Sequence, residues 1–334
     1  MLSCLPLDHS QPRLFPGAAL TTVERTTKHS VAVLIPCYNE EAGIEDVVTS
    51  FTQALPEARI YVYDNNSTDR TAQIAREAGA VVRNESRQGK GNVVRRMFAD
   101  VDADIYVLVD GDNTYDAANA QAMVSRLVAD KLDMVVASRL TKRHDAAFRR
   151  AHRVGNRLLT WFVGLLFGRR FTDILSGYRV FSRRFVKSFP ALATGFETET
   201  ELTVHALELR MPIIEIEAPY SERAAGSQSK LQTYRDGLRI LMTIIALFKR
   251  ERPLAFFSIL FALFASLALV LAYPIFVTYF ETGLVPRFPT AILATGLMLL
   301  AFLSLVSGLI LDTVTHGRRE LRRLVYLSID PIGD

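Results

Sequence analysis

Val31-Ala32-Val33-Leu34-Ile35 runs straight into Pro36-Cys37-Tyr38-Asn39-Glu40-Glu41. A short β-rich apolar run that ends in polar turn-formers reads as a strand buried on both faces. Directly behind it, Glu41–Leu55 puts Ile44, Val47, Val48, Phe51 and Leu55 on one helical face. The same unit then recurs. Ile60–Tyr63, Ala80–Arg83, Ile105–Val109 and Met134–Ala137 read as further strands, and Thr71–Ala78, Asn92–Asp100 and Ala117–Lys131 as the helices between them. Strands alternating with helices predict an α/β domain, a mostly parallel sheet covered on both faces.

In such sheets ligands bind outside the C-terminal strand ends. Here the first strand ends in Pro36-Cys37-Tyr38-Asn39-Glu40-Glu41 and the second in Asp64-Asn65-Asn66-Ser67-Thr68-Asp69. The fourth ends in Asp110-Gly111-Asp112-Asn113 and the fifth in Ser138-Arg139. Any one of these could be a turn or a helix cap. Together they describe one acidic crevice. Asp110 and Asp112 offer hard oxygens close together, and Mg²⁺ or Mn²⁺ binds through one or two carboxylates plus substrate phosphates. Such a cation neutralises a leaving diphosphate. Gly89-Lys90-Gly91 is not a P-loop, because it lacks the earlier glycine and the following Ser or Thr. No G-x-G-x-x-G follows the first strand, which disfavours a dinucleotide fold.

Composition narrows the class. Of 334 residues, 49% are hydrophobic and 22% charged, which excludes a disordered or fibrous chain. Two cysteines, Cys4 and Cys37, and six scattered histidines suggest neither a disulfide framework nor a zinc site. A net charge of +4 gives no reason to expect a nucleic-acid partner. The mean hydropathy of +0.17 is high for a soluble domain, and the excess lies at the end. Pro253–Phe280 and Phe288–Leu311 contain no Asp, Glu, Lys or Arg. Each exceeds the ~20 apolar residues that cross a bilayer core.

Lys249, Arg250 and Arg252 precede the first run, and Arg318, Arg319, Arg322 and Arg323 follow the second. Only Glu281 and Arg287 lie between them. The positive-inside rule then places the N-terminal domain and the C-terminus in the cytoplasm, on a multi-pass inner-membrane protein. Pro274 either kinks the first span or lies near its end. Before the spans, Leu238, Leu241, Ile245 and Phe248 share a face, widened by Ile244, opposite Arg235, Asp236, Arg239 and Lys249. This is a helix in the membrane interface, or an ordinary amphipathic helix packed on the soluble domain. Leu158–Phe167 is too short to span; it is a core helix or an apolar ledge for a lipid chain. The expected division is a flexible tail at 1–29, a catalytic domain at 30–231 and the interfacial helix at 232–252. Two spans at 253–314 and a cytoplasmic tail at 315–334 complete it.

The strand-end motifs, with Gly89-Lys90-Gly91, resemble family 2 glycosyltransferases of the GT-A fold. Arg153-x-Gly155-Asn156 and Asp173-x-x-Ser176-Gly177-Tyr178-Arg179 narrow the likeness, as do Glu197-Thr198-Glu199 and Arg223 followed by Gly226-Ser227-Gln228-Ser229-Lys230. These are similar to the polyprenyl-phosphate branch, which includes dolichyl-phosphate mannose synthases and undecaprenyl-phosphate glucosyltransferases. The resemblance extends more loosely to polyprenyl-phosphate galacturonate transferases. Three departures stand out. Thr114 takes the glutamine place of D-x-D-x-Q, Asn65 and Asn66 replace Asp-Gly, and the R-x-x-G-x-S-K motif has one extra residue.

The resemblance implies transfer of one sugar, with inversion, from a nucleotide-diphosphate sugar (a UDP-sugar first) to a polyprenyl phosphate. It assigns Pro36, Tyr38, Asn39, Glu40, Asp64, Asn66, Lys90, Asp110, Gly111 and Asp112 to the donor. Asp64 would accept from a base N–H, Tyr38 would cover a ring, and Lys90 would meet the donor phosphate or the base. Asp110 and Asp112 would hold Mg²⁺ or Mn²⁺. Arg139, Arg153, Asn156, Ser176, Arg179, Arg223 and Lys230 would form the acceptor-phosphate site. Asp112, Asp173 and Arg179 would be catalytic, with Asp173 either a helper in proton handling or a ligand of Arg179. A phosphate monoester ionises a second time near pH ~6, so it needs no strong base. The resemblance also implies a homo-tetramer. Two rivals are a non-catalytic membrane scaffold on the same fold and a processive polysaccharide synthase. The latter carries Gln-x-x-Arg-Trp, and the lone Trp161 here follows Leu-Leu-Thr.

Overall fold

The computed structural model describes residues 29–140, 160–165, 172–192, 197–221 and 233–333. The first half follows the sequence pattern: β1 (Val31–Cys37), α1 (Ile44–Ala54), β2 (Arg59–Asp64), α2 (Thr71–Glu77), β3 (Val81–Asn84) and α3 (Lys90–Asp100). β4 (Ile105–Leu108), α4 (Asn119–Ala129) and β5 (Met134–Leu140) continue it. After a helical stretch at 160–165, here α5, come β6 (Arg179–Ser182), α6 (Arg183–Ser188), α7 (Thr198–Glu208) and β7 (Ile213–Pro219).

The seven strands form one sheet in the order β3-β2-β1-β4-β6-β5-β7. All pairings are parallel except those of β6, which runs antiparallel to both β4 and β5. The sheet is therefore mostly parallel, as the alternation predicts. Two of its strands are absent from the sequence reading. β6 has only four residues and begins with an arginine. β7 alternates isoleucine with glutamate at the sheet edge. Along β1, Val33 and Ile35 face a cluster with α1 and α4, while Ala32 and Leu34 face one with α3, α6 and α7. This is the period-2 alternation of a strand buried on both sides.

Register sets the site. Cys37 pairs with Asp64, and Leu34 with Leu108, so the ends of β1, β2 and β4 lie together. β6 enters from the opposite direction with Arg179 across from Leu108. That brings the residues just before it to the mouth of β4.

α8 (Thr233–Glu251) carries Ile244, Leu247 and Phe248 against Val163, Ile174, Val204 and Leu207. Met242 and Ile245 on the same helix are exposed. Its described half thus packs on the catalytic domain while leaving apolar surface outward; the side chains of Leu238 and Leu241 lie outside the described residues. In α5, Val163 is buried and Trp161 and Leu165 are exposed.

α9 (Pro253–Thr282) and α10 (Phe288–Leu327) form a hairpin of two helices long and apolar enough to cross a membrane. Pro274 lies inside α9, which continues past it. Gly283 ends α9 at φ 69°, a left-handed turn that glycine adopts at little cost. On α10 the buried residues are Ala294, Ala301, Gly308 and Thr315, each a heptad after the last. A Cβ on Gly308 would stand 2.9 Å from the Cβ of Phe257. Small residues at this spacing let two helices approach closely along a continuous seam.

Most of the stretch expected as the cytoplasmic tail, 315–334, is helix. α10 continues to Leu327, and its end docks on the catalytic domain. Arg319 Nε and Arg322 Nη1 donate to the two Glu208 oxygens at 3.0 and 2.5 Å. Tyr326 donates to Asp133 at 2.7 Å, and Arg184 covers its ring. The apolar sequence ends near Leu311, but the helix has a second surface to bury.

Candidate active site

Three strand-end loops are stitched by side chains. The Asn39 side-chain Oδ1 accepts the Thr68 N–H at 2.8 Å, and the Asn39 backbone N–H donates to Ser67 Oγ at 2.9 Å. The Glu40 N–H donates to Thr71 at 2.9 Å, which in turn donates to Asp69. Asn65 donates to the Glu85 and Arg87 carbonyls at 2.8 Å and accepts the Gly89 N–H at 2.7 Å. These bonds hold β1, β2 and the start of α3 in one arrangement. They also account for the departure from Asp-Gly. Asn65 supplies two donors that aspartate lacks. Asn66 takes the left-handed φ of 64° that glycine would take, and donates to Ser86. Its side chain thus serves the loop.

Asp64 lies at the bottom of this frame, 5% exposed. Its Oδ2 accepts the Ser67 N–H at 3.2 Å, and among the described residues its buried Oδ1 has no hydrogen-bond partner. A buried acceptor is costly to leave open, so this oxygen is available to a hydrogen-bond donor. Pro36, Tyr38 and Glu40 are half-buried around the same strand end.

The acidic end is built by β4, α3, α7 and the turn before β6. Lys90 Nζ lies 2.5 Å from both Asp110 Oδ1 and Glu199 Oε1. Burial opposes its charge, but the two carboxylates outweigh burial and raise its pKa well above the ordinary lysine value. A Cβ on Gly177 would come within 2.2 Å of Asp110 Oδ2, so only glycine lets the Asp110 carboxylate lie there. Gly111 likewise lies over Cys37, with a would-be Cβ 2.6 Å from its sulfur. Burial, then the surrounding carboxylates, push the Cys37 thiol well up, so it stays protonated. Thr114 donates its hydroxyl to Asp112 Oδ1 at 2.6 Å. A threonine at the glutamine position thus orients the second carboxylate.

These carboxylates fit a divalent cation. Among the described residues no cluster of three or more His, Cys, Asp or Glu could hold a metal. Two carboxylates with phosphates completing the shell is nevertheless an ordinary Mg²⁺ arrangement. The glycine cradle leaves Asp110 Oδ2 room beside the Lys90-bound Oδ1.

The basic residues divide. Arg139 forms a two-point pair with Asp173, Nε–Oδ2 2.6 Å and Nη2–Oδ1 2.8 Å, and lies over the Tyr220 ring. Asp173 therefore orients Arg139, where a ligand of Arg179 was one of the two expectations. Arg179 itself is fully buried. Its guanidinium donates to the Ile174 and Ser176 carbonyls at 2.6 and 2.9 Å and to Thr203 at 2.9 Å. Burial lowers its pKa. Its side chain points into the core between β6 and α7, so the expected phosphate clamp and catalytic role do not fit this geometry. Ser176 is also buried and donates to the Ala137 carbonyl. Arg153, Asn156, Arg223 and Lys230 lie outside the described residues.

Sequence reasoning gave no role to Glu199 or to Tyr115, whose hydroxyl accepts the Gly177 N–H at 2.9 Å. Glu199 stood within Glu197-Thr198-Glu199. Its partner Lys90 is more than a hundred residues away, and only the fold brings them together.

Residues 32–188 match the family model described as Glycosyl transferase family 2. Over 307 residues the chain is 33% identical to glycosyltransferase AglJ of Haloferax volcanii, covering 90% of this chain and 99% of that one. The chain belongs to glycosyltransferase family 2. A dolichyl-phosphate hexose transferase of the same organism is 29% identical over 68% of this glycosyltransferase and 97% of its own length. Glucosyl-3-phosphoglycerate synthase from Mycobacterium tuberculosis, solved with Mn²⁺, UDP-glucose and glycerol 3-phosphate, superposes with a TM-score of 0.56. It is 25% identical, over 74% of this chain and 88% of that one.

Proposed function

We propose that this glycosyltransferase moves one sugar from a nucleotide-diphosphate donor, a UDP-sugar first, to a polyprenyl phosphate at the cytoplasmic membrane face. The observation that carries the reading is the buried Asp64 Oδ1, open among the described residues, with only β1 between its strand and the one that leads into Asp110 and Asp112. A nucleobase N–H satisfies Asp64, and the diphosphate then reaches the acidic end. The Mn²⁺ and UDP-glucose in the mycobacterial synthase support this assignment by likeness of fold. The lipid acceptor is supported by the dolichyl-phosphate relative and by the two long apolar helices.

The chemistry follows from charge. A lipid-phosphate oxygen attacks the sugar C1 from the face opposite the diphosphate. The C1–oxygen bond to the diphosphate breaks, and the nucleoside diphosphate leaves with the electron pair. When bound at Asp110 and Asp112, Mg²⁺ or Mn²⁺ supplies positive charge to that leaving group. The nucleophile is already anionic at neutral pH, so positioning and charge neutralisation are the protein's task. Arg139, held flat by Asp173 and Tyr220, presents its guanidinium to the acceptor phosphate. Arg153, Asn156, Arg223 and Lys230 join it in this proposal. Asp173, with both oxygens engaged by Arg139, acts as its orienting partner.

The direct test incubates the full chain in membranes with radiolabelled nucleotide sugars and polyprenyl phosphate. Label is expected in the organic-soluble lipid with one sugar, and only when a polyprenyl phosphate is present. A protein that binds nucleotide sugar but labels no lipid would favour the scaffold reading; long polymer products would favour a processive synthase.

Topology has its own test. Thr282 is exposed at the end of α9, beside the short turn to α10. A Thr282→Cys variant is expected to react with a membrane-impermeant thiol reagent added outside intact cells. Reaction at a cysteine placed at the C-terminus instead would reverse the proposed orientation.

A further inference from the structure

Lys90 is held by two carboxylates, and only one of them belongs to the metal-binding pair. Its ammonium reaches Asp110 Oδ1 and Glu199 Oε1 at the same 2.5 Å, with its side chain 12% and that of Glu199 7% exposed. The two sides of the pair come from distant elements. Lys90 opens α3, and Glu199 lies in the first turn of α7. Asp110 follows β4.

The position of Glu199 is fixed from beneath. Arg179 donates to Thr203 Oγ1 at 2.9 Å, and Thr203 donates to the Glu199 carbonyl at 3.0 Å. The same guanidinium holds the Ile174 and Ser176 carbonyls, just ahead of the Gly177 that cradles Asp110. One buried arginine therefore anchors both walls around the Lys90–Asp110 contact.

Charge counting gives Glu199 a task. With Asp110 alone, Lys90 would neutralise that carboxylate and compete with a cation for it. With Glu199 present, Lys90 keeps a full negative partner when a cation takes Asp110. Asp110, Asp112, Glu199 and Lys90 together carry a formal charge of −2, which a divalent cation balances. Without Glu199 the set carries −1.

We propose that Glu199 is a positioning residue for donor binding: it retains the Lys90 ammonium beside Asp110, so that a divalent cation and Lys90 serve the donor diphosphate together. The inference rests on the proposed nucleotide-sugar reading. Lys90 then provides a fixed second positive charge on the leaving diphosphate, one that does not leave with the product.

The test measures Mn²⁺ binding to the full chain in detergent by the loss of the free Mn²⁺ EPR signal, without nucleotide. UDP binding is measured alongside by calorimetry at saturating Mn²⁺. Glu199→Gln keeps the side-chain shape and is expected to weaken Mn²⁺ binding about tenfold or more, the scale of one charge-assisted contact. Lys90→Gln is expected to leave Mn²⁺ binding intact or tighter while weakening UDP by a similar factor. The double variant is expected to recover most of the lost Mn²⁺ affinity, because the competitor is gone. A merely structural Glu199 would not give that rescue. Should Glu199→Gln fail to fold, Glu199→Asp, which withdraws the carboxylate by one methylene, takes its place in the cycle. Unchanged Mn²⁺ affinity in the Glu199 variant, or no rescue in the double variant, overturns the inference and leaves the functional reading standing. Absence of both Mn²⁺ and UDP binding in the unaltered chain overturns the reading and the inference together.

Discussion

Asp112→Asn is expected to lower turnover by two to three powers of ten while the melting temperature stays where it was. Asp112 is 5% exposed, and its Oδ1 already takes the Thr114 hydroxyl and N–H. Asparagine keeps an oxygen for both of these bonds and nearly the same shape. What changes is the second oxygen, which becomes an NH₂ group, and the loss of one negative charge. A bound cation contributes several kcal/mol to such a transfer. Losing about 3–4 kcal/mol of that corresponds to the stated rate loss, at ~1.4 kcal/mol per power of ten. Turnover against Mn²⁺ concentration and a melting curve on the same sample decide the matter. Full activity in the variant, or in the unaltered protein with EDTA, removes the metal from the reading.

Arg179→Met is expected to act in the opposite way, through stability. Three hydrogen bonds from a buried guanidinium to oxygen disappear, with a weaker one to the Met134 sulfur, and the Ile174 carbonyl, the Ser176 carbonyl and Thr203 Oγ1 lose their donor. Unmade buried bonds of this kind cost about 1–3 kcal/mol each. Relief from burying a charge offsets part of that. A net loss of about 3–5 kcal/mol, or roughly 10 °C in melting temperature, follows for a catalytic domain of this size. The apparent KM for polyprenyl phosphate is expected to change far less than the amount of folded enzyme. A variant that melts normally but needs much more lipid would return Arg179 to the acceptor site.

The contrast between these residues shows what the sequence can tell. Asp110 and Asp112 could be placed because the apolar run Ile105–Val109 leads directly into them, and strand ends in parallel sheets face ligands. Asp64 could be placed for the same reason. Arg179 could not, although it lies in an equally polar motif. Its strand runs against its neighbours, so its polar start lies at the same end as theirs while its side chain turns inward. Nothing in Ser176-Gly177-Tyr178-Arg179 distinguishes an arginine that reaches a ligand from one that ties two backbone carbonyls to a helix. Arg139 and Asp173 illustrate the complementary case. Both were visible as charged residues, but their pairing depends on β5 and on the loop before β6 meeting across the sheet. Edge strand β7 escaped notice because its glutamates interrupt the apolar pattern that marks the inner strands. The end of α10 escaped because hydropathy registers the bilayer and not the protein surface beyond it.

That last helix has a mechanical consequence. Forty residues at 1.5 Å each make a rod of about 60 Å, roughly twice the thickness of a hydrocarbon layer. Its far end is fastened to the catalytic domain at Glu208 and Asp133, while α8 leads from the same domain directly into the other leg of the hairpin. In the proposed topology the enzyme thus stands on two stiff legs braced at the top, not on a tether. The height of the crevice above the lipid headgroups is then a property of the protein, set by helix length. The headgroup must rise to a fixed station to react, and the enzyme need not bend down to collect it.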